Sequence, residues 1–173
     1  MDYRGRGSLA RKIAFGGIIT LLTVISLYLA SFLPTNRIFF FGLSSVFLAA
    51  MVIEFSIKDA ILTYIAISIL GFIVIPNKLM LIPYVLFFGY YGILKYFIEK
   101  LNILIIEWIL KLLSFNIATY LIYVLAKELL MIDIINRLPI GILILGIEII
   151  FILYDYGYSV GIWYYKNKLR NIK

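Results

Sequence analysis

The chain has 173 residues, of which 64% are hydrophobic and only 14% charged, with a formal net charge of +7. A soluble domain is nearer half apolar and a quarter charged, so a water-soluble globule is excluded and the solvent of this chain is lipid. Cysteine and histidine are both absent, which removes disulfides, thiolate nucleophiles, haem ligation, zinc sites and imidazole catalysis together.

Apolar runs of roughly 17–25 residues are the unit to count, because a helix of that length crosses about 30 Å of hydrocarbon. Six occur, at about Ile13–Phe32, Ile38–Ile53, Asp59–Ile75, Leu79–Phe97, Ile103–Leu125 and Leu138–Tyr164. No water is present in hydrocarbon to satisfy exposed backbone groups, so each run is expected to be helical. Continuous apolar runs, without the alternation of barrel strands, argue against a β-barrel. The predicted fold is all-α: one polytopic domain over 1–173 with six transmembrane helices in one bundle, and short basic tails at about 1–12 and 165–173. The first run is longer than the apolar region of a signal peptide and no soluble domain follows it, so it reads as a permanent span.

The breaks between runs carry the expected punctuation. LPTNR (33–37) and IPNK (75–78) each put a proline at a span end, while EFSIKD (54–59) and EKLN (99–102) are short polar turns. The segment KELLMIDIINRLP (127–139) mixes charges with Leu and Ile at helical spacing, which predicts an amphipathic surface helix or lid. Arg4, Arg6, Arg11 and Lys12 precede the first span and Lys166, Lys168, Arg170 and Lys173 follow the sixth. By the positive-inside rule this chain is expected in the cell membrane as a multi-pass protein with both termini cytoplasmic. The basic residues gather at membrane edges, so the positive charge reads as topology and headgroup contact; no nucleic acid partner is expected.

On the first span Ala10, Ala14 and Gly17 form a small-residue stripe that Gly16 widens. Such a stripe lets another helix approach closely, either inside the bundle or as a docking surface for a second membrane subunit. Ser44 with Ser45, and Glu54 near Lys58 and Asp59, are isolated polar groups with no base arranged behind them. Tyr84, Phe88 and Tyr91 line one face of the fourth span, in register with Lys95. On the fifth span Glu107 and Lys111 share one face, while Asn116, Thr119, Tyr120 and Tyr123 cluster on the opposite face in the outer half. The sixth carries Glu148, with Gly141 on the same face and no evident partner at its depth, and Asp155 deeper down.

Two groups follow. Lys95, Glu107, Lys111 and Asp155 make two positive and two negative charges that are expected to neutralise one another between packed helices. Tyr84, Phe88, Tyr91, Asn116, Tyr120, Tyr123 and Glu148 could wall a ligand site, since aromatic faces with one amide and one carboxylate suit a small heterocyclic or cationic ligand. The alternative is an aromatic belt at the membrane interface plus ordinary packing. No Walker A loop, HExxH, GxSxG or paired-aspartate metal motif is present. An enzyme is therefore not expected, nor any catalytic residue, cofactor or metal site.

The size, the six spans, the basic termini and the Ala10–Arg11–Lys12–Ile13–Ala14 element together resemble the S components of energy-coupling factor (ECF) transporters, which capture vitamins and other micronutrients for bacteria. The resemblance implies a ligand held near the outer side by outer loops and the last three helices. It also implies docking through Ala10 and Ala14, whose stripe Gly17 extends, on a transmembrane coupling subunit that two ATPase subunits drive. A structural or scaffold protein of the MreD-like cell-shape type, with no ligand, is the alternative.

Overall fold

The computed structural model describes residues 3–130 and 140–169. The described residues are helical almost throughout, and six helical segments are long and apolar enough to cross a membrane: Leu9–Phe32, Pro34–Glu54, Ile57–Val74, Lys78–Glu99, Leu104–Lys127 and Gly141–Lys168. The all-α expectation holds, and every span lies within a few residues of its predicted bounds. The part of the predicted amphipathic segment at 131–139 lies outside the described residues, while Lys127 to Leu130 continue the fifth helix.

The chain divides into two compact units, Met1–Leu94 and Lys95–Lys173. In the first, α1 (Tyr3–Phe32), α2 (Arg37–Glu54) and α3 (Ile57–Val74) all pack against one another. α1 begins ten residues before the apolar run does, because Arg and Lys are good helix formers and a helix need not stop where hydrocarbon stops. The core is built on small side chains: Ala30 of α1, Ser44, Ser45, Ala49 and Ala50 of α2 and Ala60 of α3 are all buried, around Leu27, Leu48, Met51 and Ile67. Between lipid-soluble helices there is no hydrophobic gain from association, so close backbone approach through small residues is what holds them. Ser44 Oγ donates to Phe41 O at 2.6 Å, so its hydroxyl is satisfied within its own helix.

The α2–α3 turn is capped. Ser56 Oγ accepts from Asp59 N at 3.2 Å, and Asp59 Oδ2 takes Lys12 Nζ of α1 at 3.0 Å. Arg11 and Glu54 form a second, looser pair at 3.8 Å. The polar residues at 54–59 therefore fasten the α2–α3 turn to α1 at Arg11 and Lys12.

The fourth span is not one regular helix. A 3-10 turn at Lys78–Met80 leads through Pro83 into a π-helical turn, Tyr84–Phe88, and then α4, Tyr91–Glu99. Pro83 has no N–H and its ring crowds the preceding turn, so the ladder widens after it and Gly89 N reaches back to Tyr84 O at 2.7 Å. Tyr64 of α3 donates its hydroxyl to Val85 O at 2.8 Å, satisfying a carbonyl within the irregular turn. Gly89 makes that approach possible: a Cβ there would stand 2.5 Å from the Tyr64 ring and 2.8 Å from Tyr84 O.

In the second unit, α4 ends in a tight turn in which Asn102 takes φ 54°, a left-handed conformation that asparagine tolerates. α5 (Leu104–Leu130) and α6 (Ile140–Tyr164) follow. Three rungs join them: Lys111 to Asp155, Phe115 stacked on Phe151 at 4.5 Å, and Asn116 to Glu148. Numbers rise along one helix as they fall along the other, so α5 and α6 are antiparallel neighbours. Ala118, buried on α5, lies on the same helix face as Lys111 and Phe115.

Candidate functional site

The charge cluster forms, with one substitution of membership. Lys95 and Lys111 both bond Asp155, Lys95 to Oδ1 and Lys111 to Oδ2 at 3.3 Å. Both lysines also reach Glu99 Oε1, at 2.9 and 2.8 Å. Glu107, expected as the fourth member, makes no ion pair among the described residues. Glu99 replaces it for two reasons: it is one turn beyond Lys95 on α4, and the Asn102 turn folds the end of α4 back beside Lys111. The Lys95/Glu99 spacing was the sequence signal that could have found it. The Lys95 and Lys111 ammoniums lie 5.9 and 5.5 Å from the ring centres of Tyr158 and Trp108. Two cations and two anions in mutual contact remove the cost of an isolated charge at membrane depth, about 2.5–3.5 kcal/mol on insertion scales.

The second polar group differs in kind. Asn116, near the middle of α5, donates its amide Nδ2 to Leu112 O at 2.9 Å and to Glu148 Oε1 of α6 at 2.6 Å. Glu148 thus has a partner that sequence reasoning did not assign. That partner is neutral, however: no Lys or Arg pairs with Glu148 among the described residues, and its Oε2 is buried without a hydrogen-bond partner. Tyr120 and Tyr123 continue the Asn116 stripe one and two turns on, Tyr120 exposed and Tyr123 half-buried.

The other predicted ligand residues, Tyr84, Phe88 and Tyr91, belong to the first unit. Tyr84 and Tyr91 are fully buried, Phe88 stacks on Phe41 at 5.2 Å, and Tyr91 packs on Phe87 at 4.9 Å. The Tyr84 and Tyr91 rings have no exposed surface to offer a ligand here.

Ala10, Ala14 and Gly17 are all exposed on α1, so the stripe is not consumed by packing among the described helices. Gly17, together with Gly16, also lines a groove of about 730 Å³ between α1 and α3, which runs from the Lys12–Asp59 pair to Val24 and Val74. A Cβ on Gly17 would meet nothing within 4 Å.

Comparisons with protein-family models, with curated proteins and with solved structures find no match to this chain. Among the described residues six helices are long and apolar enough to cross a membrane, which makes the chain an all-α protein of the multi-pass membrane kind.

Proposed function

We propose that this protein is the membrane-embedded substrate-binding subunit of an ECF-type importer, capturing a small micronutrient from the outer side of the plasma membrane. Both termini lie in the cytoplasm on this reading, and Asn116, Tyr120, Tyr123 and Glu148 meet the ligand. A coupling transmembrane subunit, driven by two ATPase subunits, docks against the exposed Ala10–Ala14–Gly17 stripe of α1. The subunit itself carries out no chemistry; docking must weaken ligand binding, because a ligand held equally in both states would shift nothing.

The observation that carries this reading is the contrast between the two polar groups, the first buried and the second half-open with one buried oxygen. The cluster around Asp155 is internally neutralised, which is what packing needs. Among the described residues Glu148 is held only by a neutral amide and keeps one buried oxygen unpartnered. A group so costly to place at membrane depth and left incomplete is a functional site before it is a structural one. A ligand-free scaffold of the MreD-like type gives no reason to leave it so. The test is a thermal-shift screen of the purified chain against vitamins and their precursors, repeated with Glu148→Gln. Capture predicts a compound that stabilises the native chain and loses its effect in the variant, while the variant alone melts within a few degrees of native. A native chain that no compound shifts contradicts the reading.

A further inference from the structure

The orientation of Asn116 restricts which ligand chemistry the site can take. An amide side chain can be turned either way, and its hydrogen-bond neighbours decide. Here both neighbours, Leu112 O and Glu148 Oε1, are acceptors, so the NH₂ group must face them and both its hydrogens are committed. What remains is Asn116 Oδ1, to which nothing donates among the described residues, and Glu148 Oε2, buried and unpartnered. Both are acceptors. The pair presents no free donor, and its one charge is negative.

Resting on the capture reading above, we infer that the ligand is a donor-rich cation: an ammonium, an amidinium or a protonated N–H heterocycle that places an N–H on Glu148 Oε2. Such a ligand supplies both the missing hydrogen bond and the missing counter-charge in one contact, and charge-assisted bonds are the strong ones. Tyr120 and Tyr123, on the same stripe of α5, offer aromatic faces that attract a cation and do nothing for an anion. At the Asn116–Glu148 pair a carboxylate or phosphate ligand would meet only acceptors and a like charge, leaving it the Tyr120 and Tyr123 hydroxyls as donors. The specificity is built by what is absent as much as by what is present.

Three probes that share a ring and a planar head separate the cases: benzamidine, a cation with donors only; benzamide, neutral with both; and benzoate, an anion with acceptors only. Their binding to the full chain in mild detergent is measured by ligand-observed NMR. The expected order is benzamidine, then benzamide, then benzoate, with benzamidine favoured over benzoate by about tenfold or more, and Glu148→Gln removing most of that preference. The wild-type order alone is decisive if the variant does not fold. Benzoate binding as well as benzamidine, a preference that survives Glu148→Gln, or no binding of benzamidine overturns the inference. Capture itself stands or falls separately: a stabilising anion in the vitamin screen would sink the donor rule and leave the importer reading intact.

Discussion

Asp155 of α6 stands between Lys95 and Lys111, giving one carboxylate oxygen to each, and Glu99 closes the ring from the other side with a single oxygen shared by both lysines. The two acids are not equivalent. Asp155 has 7% of its side chain exposed and Glu99 has 44%, so removing the first leaves two buried cations short of their buried partner, and removing the second affects a site that solvent or headgroups can reach. Asp155→Asn is predicted to cost about 3–5 kcal/mol and Glu99→Gln about 1 kcal/mol. Denaturant titration in mixed micelles measures both. Equal costs would mean that the ring is not the unit described.

Glu107 provides the matching control. It shares a helix face with Lys111 but forms no ion pair among the described residues, so Glu107→Gln should change stability by no more than about 0.5 kcal/mol. The same titration gives the answer. A loss comparable to that of Asp155→Asn would restore Glu107 to the cluster.

At Gly89 the prediction is steric. An added methyl would press on the Tyr64 ring and on the backbone oxygen of Tyr84, and a backbone atom cannot swing away as a flexible side chain can. Gly89→Ala is expected to cost about 1–3 kcal/mol. Gly157→Ala on α6, where the same methyl meets nothing within 4 Å, should be neutral or slightly stabilising. Melting temperatures of the two variants compare them directly.

Gly17 tests the docking half of the proposal. Gly17→Phe adds bulk to the exposed α1 surface without touching the chain's own atoms at Cβ, so ligand binding to the isolated subunit should be unchanged. Uptake by cells carrying the coupling module should fall. Uptake that is undiminished would put the docking surface elsewhere.

Much of this was legible beforehand, for reasons that differ from element to element. The spans could be counted because apolar length alone sets them. Lys95, Lys111 and Asp155 could be grouped because each is a charge in a lipid-soluble stretch that needs an opposite one. Glu99 was missed because helical-face reasoning follows one helix at a time, and the Asn102 turn that carries Glu99 to Lys111 belongs to none. The break in the fourth span was hidden for a similar reason. Hydropathy reads straight through Pro83, and only the pairing of Tyr64 with Val85 O reveals where the ladder has opened. Asn116 and Glu148 were both singled out, but their meeting depends on the rotation of two helices that a pattern along one chain does not specify.

The most direct measurement is mass spectrometry of the purified full chain, released gently from detergent, for a small molecule carried through purification. The account predicts a bound cation bearing N–H donors, present with native protein and lost with Glu148→Gln. A native chain that is well folded, carries nothing and binds nothing in the screen would contradict capture and leave a structural role in its place.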